Sequence, residues 1–163
     1  MSGYSGTPLA QKLGIRAGAR LFVHGAPANY GELLAPLPAG VRTVQSIDRD
    51  TDVIHLFATR QSELATLLRH ALGAMRPSAA VWVSWPKKAA GVASDISEDA
   101  IRALALPTGL VDIKVCAVDE TWSGLKLVLR RSHRPAADEP RPRAASGKAA
   151  RERAAAGRRR LRS

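Results

Sequence analysis

Residues 51–86, "TDVIHLFATRQSELATLLRHALGAMRPSAAVWVSWP", decide the fold. The stretch opens with "TDVIHLFAT", an almost continuously apolar run of the kind a parallel-sheet strand needs when both of its faces are covered. "RQSELATLLRHALGAM" follows, with Leu64, Leu67, Leu68 and Leu72 at helical spacing, Gln61 or Ser62 near its start and Arg76-Pro77 beyond its end. "AAVWVSWP" is then a second strand. The whole unit has the length of a strand–helix–strand crossover, which places two parallel strands side by side.

Working outward, the chain continues to alternate. Upstream, "TPLAQKLG" predicts a short helix with Thr7 as N-cap, Pro8 at the first helical position and Gly14 as its stop. Residues 19–27, "ARLFVHGAP", read as a strand running into a turn. "NYGELLAPL" reads as a short helix ended by Pro38 and Gly40, and "VRTVQSI" as a strand. Downstream, "SDISEDAIRALAL" predicts a helix capped by Ser94 or Ser97, with acids in its first turn. "LVDIKVCAVDETW" and "GLKLVLRR" read as a terminal hairpin around a Trp-Ser-Gly turn. The expected fold class is therefore α/β: a three-layer, Rossmann-like, mostly parallel sheet that ends in an antiparallel β-hairpin.

Composition bounds the class. The 163 residues suit one domain, 45% of them are hydrophobic, and no apolar run approaches membrane-spanning length. The first residues have neither the charged nor the apolar region of a signal peptide, so a cytoplasmic protein with no membrane contact is expected. Cys116 is the sole cysteine, which excludes an intramolecular disulfide, and its "IKVCAVD" context reads as a packed strand position.

The net charge of +11 is uneven. Residues 131–163 hold 11 lysines and arginines against 3 acids, a net of +8, whereas the preceding residues are close to balanced with 14 against 11. The division expected is a folded domain over residues 1–131 and a disordered Ala/Pro/Arg-rich basic tail over 132–163. Arg158, Arg159, Arg160 and Arg162 are the tail's candidates for salt-sensitive contact with nucleic acid, although a solubilising role fits equally; no interleaved aromatic supports base stacking.

In open α/β sheets ligands sit beyond the carboxyl ends of the strands. Pro86 stops its strand from continuing as a regular ladder, so Lys87 and Lys88 are expected to project over that edge beside Ser84, as a cradle for a phosphate, a carboxylate or a nucleic-acid backbone. The competing reading is a solvated loop. In "VDETWSG", Asp119 and Glu120 are candidate acids or partners for the lysines, while Trp122 and Ser123 complete the cluster; hairpin chemistry explains the same residues. Adjacent acids on a strand face opposite ways, which argues against a shared proton or a two-ligand metal site. His24 and Gly25 end the first strand toward the same edge, His24 as a possible acid or base. His55, His70 and His133 show no ligand spacing and read as structural or solvated.

The loop "GAPANYG" lacks G-x-G-x-x-G and the phosphate-loop pattern, and Pro27 removes a backbone donor. Only by stretching do Asp48 or Asp50 fill a ribose-binding role. These gaps argue against ATP hydrolysis and ordinary dinucleotide binding.

"SGYSGTPLAQKLGI", "HLFATRQSEL", "WVSWPKKAAGVASDISE" and "ALPTGLVDIKVCAVDETWSGLKLVLR" resemble the signature segments of an uncharacterised bacterial family, a domain of unknown function. That resemblance covers nearly all of the body, leaves out the tail, and implies no activity. More loosely, the order of elements resembles S-adenosylmethionine-dependent methyltransferases, whose fold ends in strand, helix, strand, helix and antiparallel hairpin. This second resemblance implies S-adenosylmethionine as a possible cofactor, while "HGAPANYG" and the lack of a clear ribose acid depart from it. The leading expectation is a non-catalytic or degenerate methyltransferase-like domain that binds a small anionic or nucleotide-like ligand, or a protein partner, at the carboxyl edge. The alternatives are an atypical methyltransferase and a nucleic-acid-associated protein acting through its tail.

Overall fold

The computed structural model describes residues 7–130. The first six residues and the basic segment with Arg158, Arg159, Arg160 and Arg162 lie outside the described residues.

In chain order the elements are α1 (Leu9–Lys12), β1 (Arg20–His24), α2 (Tyr30–Leu34), β2 (Arg42–Val44), β3 (Val53–Phe57), α3 (Gln61–Ala74), β4 (Ala80–Pro86), α4 (Glu98–Ala105), β5 (Leu110–Ala117) and β6 (Trp122–Leu129). They form one six-stranded sheet in the order β2-β1-β3-β4-β6-β5. Strands β1 to β4 pair in parallel, and β6 is antiparallel to both of its neighbours, β4 and β5. β6 alone therefore runs against the others.

Side-chain alternation divides the core in two. Ile54 and Leu56 of β3, Val81 and Val83 of β4, and Leu125 and Leu127 of β6 face α3 and α4, whose Leu64, Leu68, Ile101 and Ala105 are buried against them. Leu21, Val53 and Trp82 face the other way, under Leu9, Ala10 and Leu13 of α1 and Leu34 of α2. Every residue of β3 is buried, as its unbroken apolar run predicts for a strand covered on both sides. The Trp82 indole Nε1 donates to the Leu13 carbonyl at 3.0 Å, which satisfies the one polar atom of the largest buried side chain and ties α1 to the sheet.

The amino edge is closed by Arg76. It donates to Asp52 Oδ1 at 2.7 Å and to the carbonyls of Arg49 and Thr51 at 3.2 Å, while Asp52 Oδ2 accepts from the Arg20 backbone N–H. On the outer side Arg102 of α4 bonds to Asp112 of β5 and to Glu98 and Asp99 of its own helix.

Several boundaries differ from expectation. Pro8, not Thr7, is the N-cap of α1: its own backbone is extended, and the helix begins one residue later. α2 stops at Leu34, before Pro36 rather than Pro38. The strand expected over "VRTVQSI" shortens to three residues, and residues 45–52 return to β3 without a helix, contributing Ile47 to the core. Ser97 is the cap of α4, with Oγ accepting from the Ala100 N–H at 3.1 Å.

Pro86 ends β4, as expected, although one further backbone bond follows it. It stands opposite Trp122, and the Lys87 N–H donates onward to the Thr121 carbonyl at 2.8 Å. Alternation aims the position of the missing proline N–H toward β3, whose last bond to β4 is the one from the Ala58 N–H to the Ser84 carbonyl at 3.0 Å, so pairing on that side stops at Pro86. The Trp-Ser-Gly segment is strand rather than turn: the hairpin reverses over residues 118–121, and Gly124 is where β6 crosses Trp82.

Candidate functional site

The sheet reverses direction of growth between β1 and β3. The chain steps from β1 outward to β2 and then returns to the other side of β1, which places a crevice beyond the carboxyl ends of β1 and β3. β4 ends at the same edge, and β6 begins there.

The structure brings the sequence-predicted residues to this edge, in different roles. His24 ends β1, with Nε2 3.5 Å from Glu63 Oε2 of α3. Gly25 follows with φ +73, and a Cβ there would stand 2.8 Å from the Phe57 carbonyl oxygen. Its glycine is thus required by the close approach of β3's own backbone. Lys87 is half-buried, and the exposed Lys88 opens a short 3₁₀ turn, Lys88–Ala90.

Across from them, Asp119 Oδ1 accepts from the N–H groups of Thr121 and Trp122 at 2.9 and 2.8 Å, so this carboxylate builds the hairpin turn. Asp119 and Glu120 lie in that turn rather than along a strand, with Glu120 exposed. Ser123 pairs with Trp85. Trp122 packs edge-on against Phe57, with ring centroids 5.0 Å apart.

Ser84 is fully buried beneath the edge. Its Oγ lies 2.7 Å from His55 Nε2, and His55 Nδ1 lies 2.7 Å from the Tyr30 hydroxyl. The Tyr30, His55, Phe57 and Trp122 rings form one contiguous aromatic cluster over this hydrogen-bonded chain. Burial pushes the His55 pKa down to about 3 and raises that of Tyr30, so both are neutral at ordinary pH. A neutral imidazole has one donor and one acceptor, and both hydroxyls can donate or accept, so the chain is satisfied in either direction.

Sequence reasoning missed this chain. It set His55 apart as structural and Ser84 as a possible ligand contact, without a link between them. The available signal was a histidine in the middle of an otherwise apolar strand, since a buried imidazole demands partners on both nitrogens.

The loop after β4 folds back over the N-terminus of α3. The Asp95 N–H donates to the Thr59 carbonyl, Asp95 Oδ1 accepts from the Gln61 N–H at 2.7 Å, and Gln61 Nε2 donates to the Asp95 carbonyl at 2.6 Å. A carboxylate of the chain itself thus caps the helix end nearest the crevice. Among the described residues no group of three or more His, Cys, Asp or Glu is placed to hold a metal ion, and no helix is long and apolar enough to cross a membrane.

No model of a known protein family matches the chain, and no curated protein matches it. Solved structures do. A protein described as a type 11 methyltransferase from Sulfolobus solfataricus superposes with a TM-score of 0.52 at 12% identity, over 80% of this chain and 95% of the other. The magnesium protoporphyrin IX methyltransferase from Synechocystis, with S-adenosylmethionine bound, gives 0.53 at 12% identity, over 75% of this chain and 74% of its own. At such identities the likeness is one of fold: the described residues form a Rossmann-like, methyltransferase-like α/β sheet.

Proposed function

We propose that this chain is a methyltransferase-like binding domain that holds a small anionic or nucleotide-like ligand at the carboxyl edge of its sheet, without transferring a methyl group. The observation that carries this reading is the pairing of β4 with β6, which sets Lys87 and Lys88 beside the hairpin turn and the Trp122 ring at the mouth of the β1/β3 crevice. The two ammonium groups would meet the anion and the exposed part of Trp122 a ring or sugar face, while Ser84 supports the floor through His55. On this reading the folded unit is the bacterial domain whose segments the sequence resembles, ending near residue 131, and the basic tail is a separate extension.

The residues at this edge do not fit S-adenosylmethionine as a resident cofactor. Val44 ends β2 and is followed by Gln45, Ser46 and Ile47, so no carboxylate stands where a ribose would be held. Asp48 is engaged in its own turn, with Oδ1 accepting from the Asp50 N–H and the Thr51 hydroxyl. Gly25 is packed against the Phe57 carbonyl, and Tyr30 is turned inward to His55, so the loop after β1 is committed to the protein's own core.

Titration of inorganic phosphate, pyrophosphate and adenosine monophosphate, followed by tryptophan fluorescence, tests the reading. A saturable change that Trp122→Phe abolishes is expected; an identical response in that variant would place the ligand elsewhere. The second reading, an atypical methyltransferase, rests on the fold shared with the two methyltransferases. Calorimetry with S-adenosylmethionine separates the two readings, because the first expects no saturable isotherm with this cofactor and the second requires one.

A further inference from the structure

A second cationic surface lies away from the carboxyl edge, on the face of the sheet that carries α1. Lys114 of β5 and Lys126 of β6 are directly paired across the antiparallel hairpin. Like charges in that position repel and weaken the pair of strands. The Lys126 ammonium reaches the end of α1, where a Cβ on Gly14 would lie 3.9 Å from its Nζ. Arg16 follows two residues later and adds a third positive charge to the same field. Together with burial, Lys114 and Arg16 hold the Lys126 pKa below the usual lysine range, and Lys12 and Lys114 both act on the neighbouring Cys116 thiol. Among the described residues, Arg16, Lys114 and Lys126 have no carboxylate within ion-pair distance, whereas Arg76 and Arg102 elsewhere are fully paired with acids.

The three cations repel one another, and an anion bound across them would offset that repulsion. We propose that this face, Lys12, Arg16, Lys114 and Lys126, binds the phosphodiester backbone of a nucleic-acid strand. Two observations favour a long polyanion over a small one. The cations are spread over α1, the segment after it, β5 and β6, and of the four only Arg16 lines the pocket between α1 and residues 36–38, so they do not converge on a single small-ligand cavity. In addition, residues 131–163 of the same chain carry 11 lysines and arginines, a charge excess that suits a polyanion better than a small anion. On this face Trp82 is fully buried and Trp122 packs against Phe57 at the carboxyl edge, so neither is offered to bases beside the cations, and recognition is of backbone charge and independent of sequence.

The test uses the full chain and a fluorescein-labelled oligo-dT strand, with affinity read by anisotropy across a salt series. The wild-type protein binds at low salt, and the Arg16→Gln, Lys114→Gln, Lys126→Gln triple variant binds about tenfold more weakly, with a log–log salt slope shallower by about 2. Its melting temperature should equal or exceed that of the wild type, since repulsion has been removed. Because the tail is intact in the variant, that loss belongs to the face. Single replacement of the exposed Lys114 by Glu gives an independent reading should the triple variant fold poorly, and it too should weaken binding. Unchanged affinity and slope in a folded variant would overturn the proposal, as would a wild-type protein that does not bind the strand at low salt.

Discussion

His55 Nε2 on β3 stands 2.7 Å from Ser84 Oγ on β4, and neither side chain reaches solvent. With Tyr30 on the other ring nitrogen, the imidazole is fixed beneath the crevice in its neutral form. A Ser–His pair at a strand end has the look of a nucleophile and its base, but complete burial denies it a substrate. In the proposed site its part is to fix the floor through hydrogen bonds from α2 to β4.

This arrangement has a pH signature. The folded-state pKa of His55 is pushed down to about 3, whereas an unfolded histidine titrates near its ordinary value. Below about pH 6.5 the unfolded chain therefore takes up a proton that the native state refuses, and stability is lost as pH falls from there toward about 3, at up to about 1.4 kcal/mol per pH unit. Above that window the contribution is complete. Denaturant melts of the wild type and His55→Gln at about pH 8 and about pH 5 check this, since the wild type should lose more stability between them. Parallel losses would mean that His55 does not titrate as described.

Removing one end of the chain leaves a buried nitrogen unsatisfied. Ser84→Ala and Tyr30→Phe should each cost about 1–3 kcal/mol in chemical denaturation. The double variant should fall short of the sum, because both act on the same imidazole. Strict additivity would show that the two hydrogen bonds are independent.

Gly25→Ala combines a left-handed backbone with a Cβ 2.8 Å from the Phe57 carbonyl oxygen. The expected loss is about 2 kcal/mol or more, read as a lower melting temperature. Gly73→Ala, on an open face of α3, is the control and should be neutral or mildly stabilising.

At the opposite edge, Arg76→Ala removes the partner of Asp52 and of two carbonyls. With both side chains mostly buried, the loss should be about 2–3 kcal/mol. Arg76→Lys should recover only part of it, because one ammonium cannot reproduce the fork.

How much of this was legible depends on the range of the interaction. β3, α3 and β4 were readable because strands covered on both faces are uniformly apolar and the helix between them has its own period. The gathering of His24, Lys87 and Lys88 at one edge was readable too, since parallel strands end together. The insertion of β6 between β4 and β5 was not, because a strand's pattern says which faces are buried and nothing about its neighbour. The hairpin turn was misplaced because Trp-Ser-Gly has turn composition, while the residue that makes the turn is Asp119, through two backbone N–H groups that only geometry reveals. The Tyr30–His55–Ser84 chain joins the start of α2 to two strands over separations of 25 and 29 residues, beyond any local period.

The most direct measurement of the central claim is a thermal-shift comparison of the wild type with a Lys87→Ala, Lys88→Ala double variant, each with inorganic phosphate, pyrophosphate, adenosine monophosphate and S-adenosylhomocysteine. At about 100 times its dissociation constant a bound ligand adds roughly 2.7 kcal/mol to stability. The account predicts that at least one of the three phosphate compounds raises the melting temperature of the wild type and leaves the double variant unmoved, while S-adenosylhomocysteine, a net-neutral zwitterion, shifts neither. Equal shifts with a phosphate compound in both proteins, or no shift with any of the three in either, would contradict it.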